Sequence, residues 1–337
     1  MPIAWVHCQE VEDVVGPDEI AEHAPPPYGV SAAAKPKVMC DVGWLGIQPN
    51  RSVMMRIKQQ LARIMPAFLE RAYSVRREMK ELSPIQRLKC ETRNLRPRSK
   101  IDLKELFDSR EIEMRWEHST QKIAVYAIPD GTGGVNPGDR KAIYYLISKL
   151  NPSSVLEIGT HIGASTLHIA SALFMNRTKG GRQADIVSVD SNDVNSPASK
   201  PWLKHGTRKS PIEMVREMGY EAFVEFINDT SLGYFTRCER RFDFIFLDGD
   251  HTARTVYQEI PAALNLLNQN GVILLHDYFP NLKPLWSNGL VIPGPFLAAE
   301  RLAKEGANFV VLPLGKLPWP TKLESNVTSL ALVLRKE

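Results

Sequence analysis

The chain has 337 residues, 43% of them hydrophobic and 24% charged, with a formal net charge of +4. That is the balance of an ordinary folded protein, long enough for one large α/β domain with an extension or for two domains. So small a surplus does not imply nucleic acid as a partner, and no apolar run approaches the roughly 20 residues that span a bilayer. Met1 to Glu10 lack the basic start and apolar core of a secretory signal. Cys8, Cys40, Cys90 and Cys238 show no paired spacing, which argues against a disulfide framework or a zinc knuckle. Both features lead to the expectation of a cytoplasmic protein.

Residues 1–50 carry Pro25, Pro26, Pro27 and Pro36 with little periodicity and read as an irregular arm. From Arg51, the positions Met54, Ile57, Leu61, Ile64, Phe68, Ala72, Val75 and Met79 step by threes and fours, predicting one apolar stripe along a helix or helix pair. Pro66 predicts a kink or break at Met65. The other face is basic, with Arg63, Arg71, Arg76, Arg77 and Lys80 among its cations. Residues 51–120 are therefore expected to form a basic helical extension for packing or for homo-oligomer formation, with an acidic partner left open. Lys122 to Ile128 reads as a strand, Pro129 to Asp139 as a glycine-rich loop and Arg140 to Leu150 as a helix.

The main domain is expected over residues 121–337. Ser154 to Ile158 is an apolar run, followed by a turn with Gly159 and Gly163 and then a helical stretch from Ala164. Further apolar runs close at Asp190, Ile227, Asp248 and Asp277, with two more at Phe309 to Leu312 and Ser329 to Leu334. Helical stretches separate them, the clearest being Thr252 to Leu267. Strands alternating with helices specify an α/β fold: a doubly wound, Rossmann-like, mostly parallel seven-stranded sheet with an α-helical N-terminal extension.

Ligands in such sheets gather at the carboxyl ends of the strands. There the sequence places Glu157, Asp190, Asp229, Asp248 with Asp250 and His251, and His276 with Asp277. Helix capping would account for two or three of these but not comfortably for all. Gly159 and Gly163 let a ligand approach the backbone at a helix N-terminus. Glu157 would repel a pyrophosphate and suit a cationic amine, and the glycine spacing is not that of dinucleotide sites.

Glu157 to Ser165, the acid Asp190 and the run Phe246-Leu-Asp-Gly-Asp-His251 resemble the class I S-adenosylmethionine-dependent methyltransferases. Within them the chain is most similar to the small-molecule O-methyltransferases of the catechol and macrocin types. The resemblance covers roughly Gly133 to Asp277. It implies that Glu157, Gly159, Gly163 and Ser165 hold the methionine end of S-adenosylmethionine, that Asp190 takes the ribose hydroxyls, and that Asp229 with Thr230 sits at the adenine edge. Val135, Gly138 and Asp139 match a loop that closes over the methionine and the reactive methyl.

His251 stands where the catechol-type relatives carry a basic lysine, and its ordinary pKa suits a general base near neutral pH. The alternative is that it only caps the helix that follows. Asp248 and Asp277 match positions that bind a divalent cation, magnesium by preference, and Asp248 would also serve the cofactor and the chemistry. The pattern departs at Tyr278, where the catechol enzymes have asparagine, and at His276, where the macrocin type has a second acid. Imidazole in an Asp248, His276, Asp277 set shifts preference towards transition metals; His276 could instead be a second base. Tyr278 to Pro295, rich in aromatics, proline and glycine, is expected at the mouth of the acceptor site.

The implied function is methyl transfer to a hydroxyl of a small metabolite such as a natural product, sugar or aromatic. The alternative is a cofactor-binding protein that regulates or assembles, or that runs another reaction on the same fold.

Overall fold

The structure is a computed structural model that describes residues 67–337 apart from residues 133, 179, 181 and 182. The expected arm, most of the basic stripe and the break at Met65 lie outside the described residues.

The first described helix, α1, runs Ala67–Leu82. Two shorter pieces follow, α2 at Leu103–Phe107 and α3 at Arg110–Ile123, capped by Asp102 and Ser109, whose side chains accept from backbone amides of the first turn. The core order is then α4 (Pro137–Leu150), β1 (Ser154–Ile158), α5 (Ala164–Thr178), β2 (Asp185–Asp190), α6 (Pro211–Glu217), β3 (Val224–Asn228), α7 (Ser231–Arg237), β4 (Phe242–Leu247), α8 (Ala253–Asn265), β5 (Leu267–Leu275), α9 (Gly294–Lys304), β6 (Phe309–Pro313) and β7 (Ala331–Arg335).

These seven strands form one sheet in the order β3-β2-β1-β4-β5-β7-β6. Strands β1 to β5 pair in parallel, and β7 runs antiparallel between β5 and β6. The expected seven-stranded α/β architecture is thus present, with the strand order reversing between β1 and β4, which opens a crevice above those two strands. Alternate strand residues face the two covered sides. Val155, Ile186, Phe244 and Phe246 pack with Ile143, Leu146 and Leu167, while Leu156, Val187 and Ile245 pack with Val256, Ile260, Ala298 and Leu302.

Two local expectations are corrected. Lys122 to Ile128 is not a strand: Ile123 ends α3 and Ala124 to Tyr126 make a 3-10 turn. Ile123 and Tyr126 are buried but Val125 is 75% exposed, so the apolar run continues a helix face rather than alternating. On α1 the expected stripe is also rotated. Ala72 and Met79 are exposed, whereas Glu78 and Leu82 are buried against the body of the fold. Arg301 of α9 secures the end of that helix by donating to the carbonyls of Leu82 and Ile85, with its guanidinium over the Tyr257 ring at 4.4 Å. No helix among the described residues is long and apolar enough to cross a membrane.

Candidate active site

The turn after β1 exists because its glycines adopt backbone angles that other residues avoid. Gly159 has φ +100°, and a Cβ there would lie 2.2 Å from the carbonyl oxygen of Asp248. This close approach seats the β1 turn against the end of β4. Beside it opens a cavity of about 720 Å³ lined by Gly159, Asp190, Asp229, Thr230, Asp248 and His251, with His161 and Gly134.

Asp190 closes β2 and presents both oxygens to this cavity wall. Its Oδ2 accepts from the His161 amide at 2.9 Å and its Oδ1 from the Asn192 amide at 2.8 Å, which fixes the carboxylate plane. Asp229 accepts from the Thr230 amide and pairs with Arg237, while Thr230 Oγ1 caps α7 at Gly233. The His161 ring, on a residue with φ 49°, stands 4.3 Å from the His205 ring.

Other expected cofactor residues do not reach the cavity. Glu157 is fully buried behind the turn, where its Oε2 accepts from Thr166 Oγ1 at 2.5 Å and Ser188 Oγ at 2.6 Å. Burial pushes its carboxyl up to about 7, against the lowering effect of the hydroxyls of Ser165, Ser188 and Thr166 and with Asp248 adding to the rise. Ser165 is buried in the first turn of α5, and Gly163, with φ +76°, packs against Pro211. Val135 is buried and its carbonyl accepts from Arg140 Nε at 2.7 Å. Gly138 belongs to α4, not to a free loop, and a Cβ there would meet the Pro320 carbonyl at 2.3 Å. The signal for this was present in Asn136-Pro137, a capping residue followed by proline at the first helical position: Asn136 Oδ1 accepts from Asp139 N at 3.1 Å.

At the ends of β4 and β5 the remaining residues converge. His251 Nε2 lies 3.6 Å from Asp248 Oδ1 and 3.5 Å from Asp277 Oδ2. His276 Nδ1 lies 2.8 Å from Asp248 Oδ1, and its Nε2 lies 3.5 Å from Asp139 Oδ2. Asp139, fully buried at the start of α4, therefore belongs to the titratable cluster. Burial alone would pull His276 down, but the charges of Asp248 and Asp277 and the bonds to Asp139 and Asp248 hold it well above its ordinary range. Burial of Asp277 opposes ionisation, yet His276, His251 and Lys322 hold its carboxyl well below the usual range. Asp277 also takes φ 51°, an uncommon conformation for a residue other than glycine, and accepts from Ser329 Oγ at 3.2 Å.

Asp248, His251 and His276 each offer a ligand atom within 4.8 Å of the others, the one group among the described residues that could hold a metal ion. Two imidazoles and one carboxylate match a transition cation better than magnesium, which takes oxygen donors. His251 does not cap α8; Thr252 does, accepting from the Thr255 amide. Of the segment after β5, Phe279 and Trp286 are buried in edge-to-face contact, while Asn281, Leu282 and Lys283 line an open groove with Arg71, Val75 and Met79 of α1.

Residues 156–278 match a family model described as a methyltransferase domain. Two curated relatives of Dictyostelium discoideum, named probable caffeoyl-CoA O-methyltransferases 1 and 2, are 28% and 26% identical over 149 residues. The alignment covers 44% of this chain and 57% of each relative, so the chain spans little more than half of their length. The solved SAH-bound methyltransferase PaMTH1 of Podospora anserina is 19% identical at a TM-score of 0.42, covering 68% of this chain and 89% of that one, a likeness too loose to build on. The segment from Leu156 to Tyr278 thus matches the methyltransferase-domain family, and it lies on a seven-stranded α/β sheet.

Proposed function

We propose that this chain is an S-adenosylmethionine-dependent O-methyltransferase acting on a hydroxyl of a small metabolite, with His251 as general base. The observation that carries the reading is the meeting of Asp190, Asp229, Thr230, Asp248 and His251 on one cavity at the carboxyl ends of three strands. Asp190 has two acceptor oxygens for a pair of ribose hydroxyls. Asp229 and Thr230 would stand at the adenine edge. Gly159 lets the methionine portion lie against the backbone, and Glu157 supports that turn from behind the cavity wall.

The sulfonium is already a good leaving group, so the protein has two tasks: to align an acceptor oxygen with the methyl and to remove its proton. His251 is the part-exposed imidazole of the cluster, and its Nε2 faces both Asp248 and Asp277. Such a base contributes roughly 10² to 10⁴ in rate. His276 is held charged between acids and so neutralises them rather than serving as a second base. A divalent cation held by Asp248, His251 and His276 would replace the proton on His276 and take over from His251 the activation of the acceptor, by lowering the pKa of its hydroxyl. Exposed Leu69, Tyr73 and Met79 on α1 support self-association through this helix.

Titration calorimetry with S-adenosylmethionine tests the cofactor, and no heat of binding at millimolar concentration would reject it. His251→Ala should abolish turnover while leaving cofactor affinity within about twofold; full turnover in that variant would remove His251 as the base. Turnover that survives exhaustive chelation would exclude a required cation.

A further inference from the structure

Helix α8 begins at the loop that carries His251, and its first amide is taken by a side chain from 175 residues earlier in the chain. Glu78 Oε2 accepts from Ala253 N at 2.7 Å, and Arg77 donates to the other oxygen, Oε1, at 2.9 Å. Glu78 is 3% exposed. A buried carboxylate is costly unless partnered, and here both oxygens have a donor. The bond also places an acid at the positive end of a helix, where it is favourable.

The same peptide is pressed from another side. A Cβ on Gly294, the first residue of α9, would lie 1.9 Å from the His251 carbonyl oxygen and 2.6 Å from Ala253 N. Within the loop, Asp250 accepts from Thr252 N at 2.9 Å. The segment from Asp248 to Ala253 is thus gripped by its own acid, by α9 and by Glu78 of the extension.

We infer that Glu78 is a positioning residue for His251: by accepting from Ala253 N it fixes the backbone next to His251 and so the place of that ring between Asp248 and Asp277. This rests on the reading of His251 as the base. It gives the basic extension a role at the reacting centre, as a brace on the loop, in place of a surface for an acidic partner.

The test uses the full chain, labelled with ¹³C at its eight histidines and saturated with S-adenosylhomocysteine. The His251 ring signal is assigned by its loss in His251→Asn. Glu78→Ala should shift and broaden that signal while leaving His168, which stacks on Trp116 at 4.7 Å, unmoved. Glu78→Gln keeps an acceptor oxygen at the same reach and should restore the wild-type signal. If Glu78→Ala does not fold, Glu78→Asp, shorter by one carbon, replaces it with the same expectation. An unchanged His251 signal in the truncated variant, or an equal disturbance at His168, overturns the inference. With 3,4-dihydroxycinnamate as probe acceptor, Glu78→Ala should lower kcat at least tenfold with KM for S-adenosylmethionine within twofold, and Glu78→Gln should recover kcat to within threefold. The ring signal needs no turnover, so a failure of the proposed reaction is distinguishable from a failure of the brace.

Discussion

Replacing Glu157 by glutamine should change how stability depends on pH. The carboxyl is fully buried, and burial pushes it from an ordinary 4.5 up to about 7 despite three hydroxyl donors. In the unfolded chain it ionises near 4.5, so between these values the folded state holds a proton that the unfolded state has lost. A raised pKa contributes stability that is complete below about 4.5 and disappears as pH rises through about 7. At about 1.4 kcal/mol per pH unit the whole contribution is about 3 kcal/mol, of which about 2.5 kcal/mol is lost between pH 5 and 8. Glutamine is neutral throughout and can use the hydroxyls of Thr166 and Ser188 as acceptors or donors. Glu259, pushed up to about 7 by burial, adds a slope of the same sign that the variant keeps. Urea unfolding of both proteins at pH 5 and pH 8 measures the difference between the two slopes. Glu157→Gln should gain about 2.5 kcal/mol on wild type over that interval, and parallel slopes would refute the account of a carboxyl kept neutral by burial.

His168 should act in the opposite sense, because burial and the neighbouring Arg140 push it down to about 3. Its contribution is present above about 6.5 and is lost as pH falls, so His168→Gln should flatten the acid side of the profile by about 2 kcal/mol between pH 6.5 and 5; an unchanged acid limb in urea melts would count against this. Gly159→Ala forces a positive φ on alanine and drives its Cβ towards the Asp248 carbonyl. It should cost at least about 3 kcal/mol and weaken cofactor binding in calorimetry, whereas a variant with wild-type melting would show that the turn can move. Arg301→Leu removes the bonds to Leu82 and Ile85. It should cost about 3 kcal/mol and speed proteolysis within α1, with an unaltered cleavage pattern as the contrary result.

Much of the sheet was legible because β1, β2, β4 and the second half of β5 are largely apolar runs covered on both faces, with polar residues at or just beyond their carboxyl ends on the ligand edge. Asp190, Asp229, Asp248 and His251 could be read from that pattern alone. The misreading of Lys122 to Ile128 arose because β-branched residues at a helix end resemble a short strand when the partner is unknown. Other features needed three dimensions. Nothing around Glu78 marks it as a partner for Ala253, and the apolar periodicity of α1 pointed to a face that the fold leaves exposed. Asp139 was assigned to a flexible loop, although its buried place opposite His276 depends on α4 beginning at Pro137. Glu157 marked the right turn, but only packing reveals that its carboxyl lies behind the cavity wall.

The antiparallel strand β7 has a consequence for how the sheet is completed. It fills the gap between β5 and β6, so both neighbours present bare edges until residues 331–335 arrive. Those edges belong to Ile273–Leu275 and Phe309–Pro313, both apolar, and unpaired apolar edges invite pairing between molecules. A nascent or truncated chain ending before Ala331 should therefore aggregate through this slot even with its cofactor crevice already assembled, and a short peptide spanning the last strand should suppress it.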